Sequence, residues 1–493
     1  MTSIRAAWWR FGLAVLAGLI AAFGQEPYYS FFSGPLVMFV AFAGVVHLFA
    51  HTVRVRQAAA LGWGFAFGYF LHGWFWLLSP FQVDAARDGW MAPFALVLLC
   101  GGLALYWGFA FAAARWFSRR SWPLIFCLPA AEMMRGYFFT GFPWGMFSQG
   151  LVNYWPGQAL AWIGPHGLTL LFIAAAVVVA APKMAGKAVR LIVLLVSIGL
   201  LTVPYRAAAP AMTDTTVRMV QPNAAQKDKW DPIMIPQFFD RQLAATSAPA
   251  QDPASPPDLV LWAETAIPWP LDLAQGALDQ ISMAADGIPV VMGVQRRGTL
   301  RFYNSAILLG TGGQVLQTYD KHHLVPFGEY MPFGDFLAKF GISGLAAQNG
   351  NGYSSGPGAE LMDLGPLGKA LPLICYEAVF ARDVNAAPAR PAFLMQLTND
   401  AWFGKGQGPL QHLAQARMRA IEQGLPMARV ANTGVSAMIA PDGRITASLG
   451  LNKAGFLDAR LPAAEEPTFY SRFGETPFLV TLLFGLLFAA WQR

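Results

Sequence analysis

Three short segments of this 493-residue chain carry side chains able to move an acyl group. PLICYE, 372 to 377, sets Cys375 at the end of an apolar, strand-like run. LVLWAET, 259 to 265, ends a second such run near Glu264, and YDKHHLVPFGEY, 319 to 330, brings Lys321. A thiol attacks an ester only as thiolate, and its ordinary pKa of roughly 8.5 leaves it mostly protonated near neutrality. It therefore needs a base. Glu264 within hydrogen-bond reach would take the thiol proton, pass it to the departing alcohol, and then serve the next nucleophile. The tetrahedral intermediate puts negative charge on the former carbonyl oxygen; Lys321 and the Tyr376 amide are the candidate donors, and losing one such donor typically costs about 10²–10³ in rate. Taken singly, each residue also has an ordinary reading as loop glutamate, surface lysine or core cysteine. Taken together, each at a strand end of one domain, they point to acyl transfer, because buried charges without partners are costly.

The elements that must position them lie between about 215 and 460. Short runs at 216–221, 258–263, 289–295, 305–310, 371–376, 392–398 and 436–441 are apolar almost throughout, as strands buried on both faces are. Helical stretches such as LQHLAQARMRAIEQG, 410 to 424, lie between them, so the expected domain is a layered α/β fold. The Pro-, Ala- and Ser-rich 245–257 reads as a surface connection. The Gly-rich 332–357, bearing Phe333, Phe336 and Phe340, reads as a loop or lid whose aromatics either dip into a bilayer interface or pack on the domain. No internal repeat, nucleotide-binding glycine loop, nucleic-acid motif or metal signature is present; His322 and His323 are adjacent and His412 sits alone on its helix. No cofactor is expected.

Composition places the rest of the chain in lipid: 55% of residues are hydrophobic and 13% charged, against about 25% charged in ordinary soluble proteins. Eight stretches are candidates for membrane spans, at about 8–23, 31–51, 58–78, 91–114, 122–139, 159–181, 189–205 and 475–491. The fifth is the weakest, interrupted by Glu132 and Arg135 with Pro123 and Pro129 nearby; the two charges read either as a functional intramembrane site or as an internal pair at helical spacing. Arginines and lysines alternate between loops. Arg5, Arg10, Arg54, Arg56, Arg115, Arg119, Arg120, Lys183, Lys187 and Arg190 fall on one side, while the intervening loops are nearly bare. By the positive-inside rule both termini are cytoplasmic and the polar stretch from about 206 to 470 is extracytoplasmic. Gly24-Gln25-Glu26-Pro27 reads as a turn, so the first span is expected to be retained. The net charge of +6 follows largely from the cytoplasmic loops. Cys100 and Cys127 lie in spans, which leaves Cys375 without a disulfide partner in its own domain, either reactive or simply buried.

The stretch from about 215 to 460 resembles the carbon–nitrogen hydrolase (nitrilase) superfamily, and the whole chain resembles the apolipoprotein N-acyltransferase family. The resemblance is carried by VQPNAAQKDKW (220–230), LWAETAIPWP (261–270), YNSAILLG (303–310), YDKHHLVPFGEYMP (319–332), PLICYEAVF (372–380), TNDAWFG (398–404) and the run from Gly408 to Gly434. Pro222, where glycine is commoner, and the insert at 245–257 are the departures, and neither touches the triad. The resemblance implies an α-β-β-α sandwich with Glu264 as base, Lys321 as oxyanion stabiliser and Cys375 as nucleophile, supported by Glu329, Tyr376, Glu377, Trp230, Asn304, Asn399 and Trp402. Glu377 has a second reading as an ion-pair partner of Arg382 or Arg429. The implied domains are a seven-helix transmembrane part (1–206), a periplasmic catalytic part (207–470) and a C-terminal helix (471–493) of a bacterial inner-membrane enzyme. The implied reaction moves a fatty acyl chain from a phospholipid through a cysteine thioester to the amine of a diacylated apolipoprotein. A monomer is expected. Two other readings stay open here, a membrane-tethered amidase with water as acceptor and a non-catalytic lipid- or lipoprotein-binding protein.

Overall fold

The structure, a computed structural model, describes residues 2–25, 33–182, 184–299, 301–332 and 352–493. Most of the expected 332–357 cover, with Phe333, Phe336 and Phe340, lies outside the described residues, as do Lys183 and part of the first bare loop. The chain divides into two compact units. One comprises 1–78, 87–207 and 467–493; the other comprises 79–86 and 208–466.

The first unit is helical. Helices at Thr2–Ala21, Gly34–Ala50, Val55–Gly73, Ala92–Phe117, Leu124–Tyr137, Leu160–Ala180, Lys187–Thr202 and Thr476–Trp491 coincide with the eight stretches read from sequence. By length and composition three helical stretches can cross a membrane, Trp8–Gln25, Ala85–Phe117 and Trp155–Ala180; Gly34–Ala50 and Thr476–Trp491 are apolar but shorter. Sixteen residues of helix rise only about 24 Å against a hydrocarbon core of about 30 Å, which is why they fall short on length. Small residues allow close helix contact: a Cβ on Gly18 would lie 2.1 Å from the Phe65 carbonyl oxygen, and one on Gly68 would lie 2.2 Å from that of Val15. Glu132 and Arg135 form the internal pair, 2.6 Å apart and fully buried, and Trp107 donates to the same carboxylate at 2.6 Å. Outward-facing Leu98 and Phe109 are 73% and 70% exposed, a surface that calls for apolar surroundings. The chain is a membrane protein.

The second unit is an α/β sandwich of two six-stranded sheets, a nitrilase-like arrangement. Its strands are β1 (Met212–Gln221), β2 (Leu259–Trp262), β3 (Val290–Arg297), β4 (Phe302–Leu309), β5 (Val315–Asp320), β6 (Met362–Asp363), β7 (Lys369–Ile374), β8 (Phe393–Thr398), β9 (Met427–Ala431), β10 (Ser436–Ile439), β11 (Ile445–Leu449) and β12 (Gly455–Pro462). The sheets run β12-β1-β2-β3-β4-β5 and β11-β10-β9-β8-β7-β6. Each has a parallel centre, β1-β2-β3 and β7-β8-β9. Val217, Met219, Leu259 and Leu261 of one sheet share a core with Phe393, Met395, Leu397 and Val430 of the other. The alternate residues Val220, Val260 and Trp262 pack instead with helices Met234–Ser247 and Gln275–Ala285, and Leu371, Leu373 and Leu394 pack with helix Gln407–Gln423. Both faces of the central strands are therefore buried, which explains their unbroken apolar runs. Arg218 stitches the supposed surface connection to the sheet, pairing with Asp458 at 2.7 Å and donating to the carbonyls of Ala245, Thr246, Ala248 and Pro249.

Candidate active site

Three strand ends of the second unit deliver the polar groups. Cys375 follows β7 directly and opens a tight 3-10 turn, Cys375–Val379, with φ of +50°. A non-glycine residue held there costs on the order of 1–3 kcal/mol and persists only where its surroundings dictate it. They do so here. The Glu377 carboxylate accepts from the Ile374 amide at 2.7 Å, and Gln396 donates to the Cys375 carbonyl at 3.2 Å with His412 Nε2 3.1 Å from the same oxygen.

Glu264 lies just beyond β2, followed by Thr265 with φ of +44°, a rare conformation for a β-branched residue. Gly293 of β3 lies under this turn, where a Cβ would come within 2.4 Å of the Thr265 nitrogen and 2.6 Å of the Glu264 Cα. Lys321 follows β5, its amide donating to the Asn304 carbonyl at 2.9 Å.

The carboxylate of Glu264 is held from three sides. Asn304 Nδ2 donates to Oε1 at 2.7 Å, Lys321 Nζ lies 3.5 Å from that oxygen, and the Asn399 amide donates to Oε2 at 2.8 Å. Lys321 also pairs with Glu329 at 2.8 Å, and Asn304 Nδ2 reaches the same carboxylate at 3.0 Å. The Val325 amide closes the Glu329 side at 2.8 Å. Glu264, Lys321, Glu329, Asn304 and Asn399 are all buried. Burial alone would lower the Lys321 ammonium, but Glu329 and then Glu264 outweigh it and push its pKa up, so it stays charged. Burial pushes the Cys375 thiol up, Glu264 adds to this, and Lys321 and a hydrogen bond with Thr398 oppose it. These influences together favour the thiol form, with a fixed carboxylate and ammonium acting on it. That arrangement suits base-assisted attack better than a preformed thiolate.

The remaining sequence-derived positions spread around this centre. Tyr376 is buried edge-on to His323, at a 5.5 Å centroid distance, and to Phe380. Trp230 lies 41% exposed beside Lys229, whose Nζ is 5.2 Å from its ring, and Trp402 is half-buried in the turn Asp400–Phe403. Glu377 is fully buried, with Tyr319, His322 and the Ile374 amide as partners. Of the two arginines the sequence offered as ion-pair partners for Glu377, Arg429 bonds Asp400 at 2.6 Å and Arg382 lies 3.5 Å from Asp383.

Several neighbours went unread in the sequence. Gln226 and Asn432 fix the Asn399 side chain, at 2.7 and 2.8 Å. His412, far from alone, bonds Asp400 at 2.9 Å within a buried set that includes Arg429 and Gln396. Polar residues on an otherwise buried helix, QHLAQARMR, were the available signal, since such groups must find partners. A small pocket next to Glu264 is lined by Lys229, Trp230, Phe238, Phe239, Thr265 and Asn432 among others. Among the described residues no group of three or more His, Cys, Asp or Glu side chains is arranged to hold a metal ion.

Comparison with known proteins matches residues 216–466 to the carbon-nitrogen hydrolase family and residues 17–178 to the apolipoprotein N-acyltransferase N-terminal domain. An apolipoprotein N-acyltransferase of Rhodopseudomonas palustris is 36% identical over 521 aligned residues, covering 99% of this chain and 96% of the relative. One from Sinorhizobium fredii is 37% identical, with 97% and 94% covered, and one from Caulobacter vibrioides is 35% identical, with 99% and 97% covered. Among solved structures, an amidase from Nesterenkonia sp. aligns with 56% of this chain and 98% of its own at 19% identity and a TM-score of 0.40.

Proposed function

The chain belongs to the apolipoprotein N-acyltransferase family, and on that premise we propose how its site acylates the amino terminus of a lipoprotein. The acyl donor is a phospholipid and the acceptor is the α-amine of an S-diacylglyceryl-cysteine apolipoprotein. Glu264 takes the proton from the Cys375 thiol as sulfur attacks the ester carbonyl. Lys321 and the Tyr376 amide stabilise the oxyanion. On collapse the C–O bond breaks, the Glu264 proton goes to the departing alcohol, and lysophospholipid leaves a thioester on Cys375. The lipoprotein amine then attacks; Glu264 removes its proton, the C–S bond breaks, sulfur recovers the proton, and an amide is formed. Atoms and charge balance over both halves without a cofactor.

The observation that carries this reading is the buried cluster at three strand ends of one domain, Glu264 held by Asn304 and the Asn399 amide, Lys321 between Glu264 and Glu329, and Cys375 buried at the end of β7. Glu329, Asn304 and Asn399 hold the base and the ammonium; Glu377 shapes the turn that presents the nucleophile; Trp230 and Trp402 flank the approach. Confining donor and acceptor to one bilayer raises their effective concentration at the site. Residues 1–206 and 471–493 form an eight-helix transmembrane domain of the bacterial inner membrane, and 207–470 a periplasmic catalytic domain in a monomer with both termini cytoplasmic. The basic residues on alternate loops and the helices at all eight apolar stretches support this topology. The test supplies purified protein with phospholipid and a diacylated lipopeptide. The peptide is expected to gain one acyl group per lysophospholipid released. Release of free fatty acid with the peptide unchanged would make the protein an amidase-like hydrolase instead.

A further inference from the structure

Two glutamates, Glu264 and Glu329, are buried around the single ammonium of Lys321, which leaves that trio one negative charge in excess. A second cation lies on the other side of Glu264. Lys229, in the loop between β1 and helix Met234–Ser247, is buried, and its Nζ donates to the Glu264 carbonyl at 3.2 Å and to Thr265 Oγ1 at 2.8 Å. Both bonded partners are uncharged and the Trp230 ring lies 5.2 Å from the same Nζ, so the ammonium is not neutralised by a bonded carboxylate of its own. A buried lysine bonded only to neutral groups is costly unless its charge is used.

We propose that Lys229 is a positioning residue of the acylation step, the second counter-charge that keeps the Glu264–Glu329 pair ionised while pinning the strained Glu264–Thr265 turn. The buried set then holds two ammonium groups, Lys229 and Lys321, for two carboxyl groups, Glu264 and Glu329. Burial lowers the Lys229 ammonium to about 8, and Glu264 opposes that fall. Around it, Asp228 is half-buried and Lys227 and Asp231 are exposed on its own loop, and Arg241 of the overlying helix is committed to the Pro222 carbonyl.

This inference rests on Glu264 being the base, and the experiment separates the two claims. The rate of Cys375 acylation by phospholipid is followed against pH for the full-length wild type, Lys229→Gln, Lys229→Met and Lys229→Arg. Gln retains donors for the two acceptors without charge, Met retains only the bulk, and Arg retains the charge. The acid limb is expected to move up by about one pH unit in Gln and Met, and to stay near wild type in Arg, with KM for phospholipid unchanged. Should Met fail to fold, Gln still decides. A Gln variant whose acid limb coincides with wild type, or an Arg variant displaced as far as Gln, overturns the proposal. Glu264→Gln is the separate control: acylation at the wild-type rate there would remove the base assignment itself, whatever Lys229 does.

Discussion

A buried thiol, a carboxylate and an ammonium at three strand ends make each of the three residues separately testable. Glu264→Gln keeps the shape and much of the hydrogen bonding but cannot take the proton, so the acylation rate is expected to fall by about 10²–10⁴. Lys321→Met removes the oxyanion donor and leaves Glu264 and Glu329 without their shared partner, a loss of about 10²–10³ or more by stopped acylation assay. Asp400 belongs to stability. Burial would raise it, but Arg429 and His412 outweigh that and hold it at about 2, below its ordinary 3.8. A depressed carboxylate stabilises the fold above its unfolded pKa and loses that contribution as pH falls through its folded one. Asp400→Asn, which strands Arg429, is therefore expected to cost about 3–5 kcal/mol at pH 7 by denaturant unfolding. The gap to wild type should begin to narrow only below about pH 4, as Asp400 approaches its folded value of about 2. Cys375 and Glu264 are legible in the sequence because each ends an apolar run, and Lys321 through the YDKHHLVPFGEY segment that carries the family resemblance. Lys229, Gln226 and Asn432 are not, because their partners come from segments distant in the chain.

At the level of elements, the site depends on how closely β3 approaches the β2 turn. Gly293→Ala would drive a Cβ into the Glu264–Thr265 backbone, with contacts of 2.4 Å to the Thr265 nitrogen and 2.6 Å to the Glu264 Cα that must be relieved. We expect a loss of about 1–3 kcal/mol in stability, and a drop in acylation rate exceeding what a matched substitution elsewhere in the sheet causes. The central strands β1, β2, β3, β7 and β8 are readable because both faces are buried, as Leu259, Leu261, Val260 and Trp262 show, whereas the equally buried β9, MARVA with Arg429 in its middle, is not among the sequence-derived runs. The edge strands β5 and β11 are not among the sequence-derived runs. Val315–Asp320 and Ile445–Leu449 alternate between half-buried and exposed positions and look like loop in a scan for apolar runs. The 245–257 stretch reads as surface, yet its start is tied to the fully buried Arg218, a link that composition cannot reveal.

At the scale of the whole molecule, the topology has a direct readout. In a background with Cys375→Ala, Ala254→Cys is expected to react with a membrane-impermeant maleimide applied to spheroplasts, and Arg56→Cys only after permeabilisation; both positions are exposed. The reverse pattern would invert the proposed orientation. All eight helices can be located from hydropathy, but among the described residues three stretches satisfy length and apolarity together; Leu124–Tyr137 has 14 residues and carries the Glu132–Arg135 pair within it. The central claim is a fatty acyl thioester on one sulfur, and intact-protein mass after mixing with phospholipid tests it most directly. The expected result is a single acyl adduct that maps to Cys375, is absent in Cys375→Ser, and is discharged by a diacylated lipopeptide with a free amine. An adduct elsewhere, or transfer to the lipopeptide that proceeds undiminished in Cys375→Ser, would contradict it.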